Sequence, residues 1–370
     1  MKLHCHRPSL VTAFQVVSGV VPARTPKEIL KNVKLEVRGG QAVLIGTDQE
    51  VGIRYTIPGV EIESDGEVLL PANRVKSILH ELTDDGVNLE VKDDAAWIRA
   101  GQSEFRLSAC DAVEFPPVTE FDSERFHVVS GKILREAIRR TVFATDVEST
   151  RYALGGVLVE FEPEAMTLAA TDSRRLAVVK CVCRSEGMSD AATLKPVVPS
   201  KAMTLIQSSI VADDEDVQIS VHENDVVVRC GNAVISARLV EGRFPNYGEV
   251  IPKESAARVE LVVGPFLAVV RQAQIVTDEE SRGVDFAFSK GSLTLKSSAA
   301  KIGESKVELP VSYEGDDLTI TFDPRFVAEF LRVLEASDQL SFELIDAERA
   351  AVLRTDDAYT YVIMPLSRDR

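Results

Sequence analysis

Positive charge is scarce in this sequence. Its 370 residues hold 42 Lys and Arg against 58 Asp and Glu, a formal net charge of −16 at pH 7. Affinity for nucleic acid rests largely on neutralising phosphates with basic side chains, so this total argues against such a partner unless the cations are concentrated somewhere. Cysteine is also sparse. Cys5, Cys110, Cys181, Cys183 and Cys230 are scattered along a long chain, which fits neither a disulfide framework nor a zinc module; reduced, mostly buried thiols are expected. The longest apolar runs, such as residues 265–270, are far too short to cross a bilayer, and the first residues lack the apolar stretch of a secretion signal. A cytoplasmic protein with no membrane partner is expected.

A convergent reactive set is missing too. Asp48 and Asp172 both follow Thr, but the third equivalent position is Ala299, so a strand-end or turn role suits the two acids better than a catalytic dyad. His4 and His6 alternate on a strand with no third ligand nearby. Cys181 and Cys183 read as apolar strand residues, and the single Trp97 as core. Phosphate-binding glycine loops of either common spacing do not occur. No catalytic residue, metal ligand or cofactor is assigned.

What the chain has is a long internal period. Residues 32–48, 156–172 and 283–299 align without gaps, each alternating apolar and polar residues on two arms around a Gly-containing or Pro-Glu turn, the signature of a hairpin with one buried face. Downstream, residues 70–79, 198–206 and 322–331 align as short amphipathic helices, and a second helix opens each copy at residues 8–17, 131–141 and 264–273. Pro8, Pro71, Pro199, Pro265 and Pro324 stand at or near helix starts, where a missing N–H costs nothing. The fold class is α+β in three tandem copies, with boundaries at 1–122, 123–249 and 250–370.

The cations sit on the helices. Taking these as residues 8–17, 72–79, 131–141, 199–208, 264–273 and 324–333, the basic set is Arg74, Lys76, Lys132, Arg135, Arg139, Arg140, Lys201, Arg271, Arg325 and Arg332, against Glu136 and Glu329 alone. The helices net +8 and everything else −24. Lys132, Arg135 and Arg139 form a stripe opposite Ile133, Leu134, Ala137 and Ile138. Twelve helices from two chains, at roughly 9–10 Å per neighbour, would trace a circle about 35 Å across. Subtracting a helix diameter leaves a hole of about 25 Å, wide enough for a DNA duplex held through its phosphates without base readout.

The residues themselves resemble a known family. Gly46-Thr-Asp-Gln-Glu50, Arg151-Tyr152, Ala170-Thr-Asp-Ser-Arg-Arg-Leu-Ala177, Leu239-Val-Glu-Gly-Arg-Phe-Pro-Asn-Tyr247 and Val362-Ile-Met-Pro-Leu366 together resemble the β subunit of bacterial DNA polymerase III, the replicative sliding clamp. The resemblance implies a ring-forming homodimer of clamp units, each with two helices packed on two antiparallel sheets. It implies a processivity factor and not an enzyme, loaded on duplex DNA by a clamp loader complex. It further implies an apolar pocket for short peptides of the replicative polymerase α subunit, other DNA polymerases and repair proteins.

Carried over by position, the pocket comprises Leu154, Thr171, Ser173, Arg174, Arg175, Leu176, Pro245, Val250, Val362, Met364, Pro365 and Leu366, with Arg175 expected to fix a peptide carboxyl or carbonyl. Arg24, Arg151 and Tyr152 join the helix cations as DNA-facing residues. The dimer seam is expected at Phe105, Arg106 and Leu107 of one chain and Glu304 and Glu308 of the other, with Ile275 and Val276 as apolar anchors and Arg106 pairing Glu304 or Glu308. Family members usually show Gly and then an aromatic residue or His after Thr-Asp, where this chain has Ser173 and Arg174; a different peptide preference is expected.

Overall fold

The computed structural model describes residues 1–149, 153–187, 195–277 and 282–366. Among them stand six α-helices, each within two residues of the position the repeat predicts: α1 (Arg7–Val17), α2 (Ala72–Glu81), α3 (Gly131–Arg139), α4 (Ser200–Ser209), α5 (Val263–Ala273) and α6 (Pro324–Arg332). Prolines set several of the starts. Pro8 and Pro324 occupy the first turn of α1 and α6, while Pro71 and Pro199 are the extended residues just before α2 and α4. Asp323 adds a cap to α6 by accepting the Arg325 backbone N–H at 3.0 Å.

The aligned hairpins form as read. Asn32–Arg38 pairs with Gln41–Thr47, Gly156–Phe161 with Ala165–Thr171, and Val284–Ser289 with Ser292–Ala299. Asn32–Arg38 and both strands of the third hairpin alternate between buried and exposed or half-buried, as a sheet with one covered face requires, while Leu44 to Thr47 of the first hairpin are buried throughout.

The chain groups into two compact units that cut across the second repeat: Met1–Arg135 with Glu162–Glu164 and Cys183–Val240, and Glu136–Phe161 with Ala165–Val182 and Glu241–Arg370. Strand pairing explains the cut. In the first unit the last strand of the second repeat, Ala233–Arg238, hydrogen-bonds to Val51–Thr56 of the first, with Ile235 opposite Ile53. One sheet of nine strands therefore runs through both. In the second unit the last strand of the third repeat, Tyr359–Ile363, pairs in the same way with Arg175–Val182 of the second, Leu176 lying opposite Val362.

Each unit also holds a smaller sheet. In the first unit its order is Val60–Ser64, Lys2–His6, Gly86–Lys92, Ala95–Ala100 and Ser103–Ser108; in the second it is Gly303–Pro310, Ser292–Ala299, Val284–Ser289 and Leu318–Phe322. Both Ser103–Ser108 and Gly303–Pro310 are end strands. The core of the second unit is aromatic: Phe266, Phe286, Phe288, Phe322 and Phe342 are all at most 1% exposed, with ring centroids 5.4–6.3 Å apart. Removing one such ring costs about 3–5 kcal/mol.

One expectation from composition needs correction, and the cysteines are mostly buried as expected. Trp97 is half-buried and not core: the guanidinium carbons of Arg99 and Arg106 stand 5.1 and 5.9 Å from its ring centroid, so a strand face rich in Arg covers it through cation–π contact. Cys110 is exposed and Cys181 half-buried, while Cys5, Cys183 and Cys230 are buried. Burial pushes the Cys5 and Cys230 thiols up to about 12, so they remain protonated and unreactive.

Candidate functional site

A five-residue turn organises the site. At residues 171–175 the Asp172 Oδ1 accepts the backbone N–H groups of Arg174 and Arg175 at 2.9 and 3.0 Å. The Thr171 hydroxyl donates to the Arg175 carbonyl at 2.6 Å and accepts the Ser173 N–H at 3.1 Å. Thr and Asp are chosen here because each can satisfy turn backbone with a short side chain. The turn is tight enough that Ser173 sits at φ 73°, a left-handed conformation that costs an L-residue about 1–2 kcal/mol. The Met364 N–H donates to the Arg174 carbonyl at 2.8 Å, tying the end of the last strand to the turn.

Beside this turn lies a groove of about 240 Å³ lined by Thr171, Ser173, Arg174, Arg175, Leu176, Pro245, Tyr247, Val250, Val362 and Met364. Leu176 and Val362 of this lining are buried together with Val352 behind them, and Tyr247 packs against that cluster. Val250 and Met364 are exposed apolar residues, 56% and 45% accessible, and give the groove an open apolar face. Nine of the twelve residues expected of the pocket are thus brought together. Leu154, Pro365 and Leu366 are not in the lining: Leu154 is buried, and the Leu366 N–H is bonded to the Thr321 carbonyl at 2.8 Å. Tyr247 was missed, although an aromatic residue two positions past Phe244-Pro245 was a readable signal.

Arg175 does not do what its charge suggested. Its side chain is only 7% exposed, and each guanidinium nitrogen is engaged: Nε with Asp172 at 2.9 Å, Nη1 with Glu329, and Nη2 with the Phe143 carbonyl at 2.7 Å. The Phe326 and Phe143 rings cover its faces at 4.4 and 5.2 Å. Burial opposes the charge, yet Tyr361, Glu329 and Asp172 outweigh it and hold the pKa above the ordinary arginine value. Arg175 builds the wall of the groove. The exposed cation of the lining is its neighbour Arg174.

The first unit repeats the turn with different side chains. Asp48 accepts the N–H groups of Glu50 and Val51 at 3.0 and 2.7 Å, Thr47 bridges to Gln49 and the Val51 carbonyl, Gln49 has φ 81°, and the Arg238 N–H donates to the Glu50 carbonyl at 2.9 Å. Asp48 and Asp172 are therefore turn acids, as the sequence suggested. The cleft beside this turn, about 410 Å³, is lined by Gln49, Glu50, Asp225, Arg238, Pro116, Pro117 and Val118 among others. Glu50, Asp225 and Arg238 make it charged where the second unit's groove is apolar, and Val118 packs into the space that Gly52 leaves open.

The observed helix bounds hold ten basic residues, Arg7 now included and Arg140 just outside, against Glu81, Glu136 and Glu329, a net of +7. The cations divide by partner. Arg135 pairs with Asp213 at 2.6 Å, Arg139 with Glu136 at 2.8 Å, Arg325 with Asp323 at 2.6 Å, and Lys201 with Asp48. Arg140 is only 11% exposed, held by Glu136 and Asp357 over the Tyr359 ring; it is a packing residue. Among the described residues Arg24, Arg74, Lys76, Lys132, Arg271 and Arg332 are exposed without an ion pair. Arg151 and Tyr152 lie outside the described residues.

The expected seam residues fall on the two end strands and one short helical turn. On Ser103–Ser108, Phe105 and Leu107 are half-buried and Arg106 is exposed. On Gly303–Pro310, Glu304 and Glu308 are exposed, with Glu308 bonded to Lys306 at 2.7 Å. Ile275 is 73% exposed and Val276 half-buried.

Comparison with known proteins identifies the family. Models for the N-terminal, central and C-terminal domains of the DNA polymerase III beta subunit match residues 1–119, 128–246 and 248–367. The chain belongs to the DNA polymerase III beta subunit family. Its three repeats are three tandem clamp domains, and the family is one of processivity factors without catalytic activity. The chain is 30% identical to a beta sliding clamp of Chlamydia muridarum over 99% of both chains. Among solved structures, the Bacillus subtilis sliding clamp superposes with a TM-score of 0.91 at 27% identity, covering 100% of this chain and 99% of that one. A Pseudomonas aeruginosa clamp bound to griselimycin gives 0.90 at 28% identity with complete coverage of both. This clamp-family chain has no described helix long and apolar enough to cross a membrane.

Proposed function

We propose that two copies of this chain close head to tail into a ring that encircles duplex DNA, is opened and placed there by a clamp loader, and holds the replicative polymerase α subunit, other DNA polymerases and repair proteins through the apolar groove, in the cytoplasm. Domains at 1–122, 123–249 and 250–370 supply three of the ring's six units. One observation carries the ring: two of three equivalent junctions are already made inside the chain. Ala233–Arg238 pairs with Val51–Thr56, and Tyr359–Ile363 with Arg175–Val182. The corresponding strands left over are Ser103–Ser108 and Gly303–Pro310, each at a sheet end. Unpaired edges of this length invite partners, and a second copy supplies the matching edge twice.

The unpaired helix cations Arg74, Lys76, Lys132, Arg271 and Arg332, with Arg24, support phosphate contact without base readout. Arg135, Arg139, Lys201 and Arg325 add charge that is already partly compensated by neighbours. The test is topological. With clamp loader and ATP present, the protein is retained on nicked circular DNA and lost when the circle is linearised; equal retention on both forms overturns the ring.

A further inference from the structure

We infer that Arg174 makes the groove of the second unit selective for peptides that place a carboxylate beside their apolar anchors. The inference rests on the groove being a peptide site and adds the chemistry that site prefers.

Among the described lining residues there are two cations and no carboxylate. Arg175 is neutralised by Asp172 and Glu329 and closed off by two aromatic rings. Arg174 is exposed, and its guanidinium has no partner among the described residues. Its backbone is fixed at both ends, the N–H by Asp172 and the carbonyl by Met364, so the side chain leaves from a defined point on the rim. An apolar floor with one free guanidinium at its edge binds an apolar segment and favours an adjacent negative charge.

The first unit shows that the cation is not there to hold the turn. Glu50 occupies the place of Arg174 in a turn with the same hydrogen bonds, the same positive φ at the preceding residue and the same strand-end bond from Arg238. The backbone is built equally well around an acid. Reversing the charge at Arg174 therefore leaves the fold intact and changes only what the rim attracts.

The experiment uses the full-length chain and N-acetylated hexapeptides with two adjacent leucines, in which Asp, Asn or Lys is walked through the other four positions. One set is C-amidated and one has a free C-terminus. Binding is read by fluorescence anisotropy at low and high salt. At one position at least, Asp is expected to bind about fivefold tighter than Asn, with the gap shrinking in high salt. Arg174→Gln abolishes the gap, and Arg174→Glu turns it toward Lys. If the free C-terminus alone gives the advantage, the carboxylate recognised is the chain end; if the amidated Asp peptides keep it, it is a side chain. Either result supports the inference. Equal binding of Asp, Asn and Lys peptides by the native chain, with Arg174→Glu unchanged, overturns it while leaving the groove a peptide site. No binding by any peptide overturns the peptide site as well.

Discussion

Replacing Asp172 with Ala removes three bonds at once: the acceptor for the Arg174 and Arg175 N–H groups and the partner of the Arg175 Nε. Breaking a buried ion pair from one side costs about 3–5 kcal/mol, because the remaining charge stays buried. Glu329 still reaches Arg175, so the lower end, about 3 kcal/mol, is expected. For a unit of this size that lowers the melting temperature of the second unit by about 9 °C. The first unit supplies the control. Asp48 caps its own turn in the same way, but its ionic partner Lys201 has a side chain 45% exposed, and exposed pairs contribute at most about 1 kcal/mol. Asp48→Ala should therefore cost only about 1–2 kcal/mol. Calorimetric scans of both variants decide the matter: if Asp172→Ala shifts its transition no more than Asp48→Ala shifts its own, the buried guanidinium is not what holds the groove wall.

Three further outcomes follow from local geometry. Ser173→Gly relieves a left-handed Ser and, after the extra chain entropy of Gly, should stabilise the protein by about 0.5–1 kcal/mol, seen as a higher urea midpoint at unchanged slope; a lower midpoint would show that the conformation carries no strain. Desolvation lowers the His127 pKa from 6.5 to about 4. The fold thus holds the neutral ring, and stability present above pH 6.5 is lost as pH falls toward 4, by up to about 3 kcal/mol; His127→Gln should flatten that slope, and an unchanged slope refutes the assignment. Lys132→Glu with Arg332→Glu should leave melting unaltered but make the salt dependence of DNA retention shallower by roughly one for each phosphate no longer neutralised; an unchanged slope removes these residues from the DNA face.

The fold was legible because its signals are periodic and local. Alternation marked the hairpins at 32–48, 156–172 and 283–299, and prolines marked the helix starts. What the sequence could not show was which charges are already taken. Arg174 and Arg175 are adjacent and chemically identical, yet the guanidinium of the first has no partner among the described residues and that of the second is spent on Asp172, Glu329 and two rings. The partners lie 154 residues apart in the case of Glu329, beyond any local pattern. Arg140 misled for the same reason: its acid, Asp357, is on another repeat. Leu366 fell outside the groove lining because its backbone turns to bond Thr321, a choice set by the strand Leu318–Phe322 and not by the motif around Met364.

The two internal junctions also fix a register for the third. Val51 lies opposite Ala237 in the first unit, and Arg175 opposite Ile363 in the second. In the hairpins the partners of Thr47, Thr171 and Ser298 are Gly52, Leu176 and Glu304, so Gly303 takes the place of Val51 and Arg175, and the pairing of Ala100 with Ser103 and of Cys230 with Ala233 puts Leu107 in the place of Ala237. The proposed seam therefore sets Gly303 of one chain against Leu107 of its partner and Glu304 against Arg106, away from Glu308. Directly opposed residues in an antiparallel pair have Cα atoms about 4.5–5.5 Å apart, within disulfide reach. Arg106→Cys with Glu304→Cys should cross-link into covalently closed dimers under mild oxidation. Arg106→Cys with Lys306→Cys, two residues out of register, should not. Cross-linking of the second pair but not the first would mean that the seam is not the third copy of the junction the chain makes twice within itself.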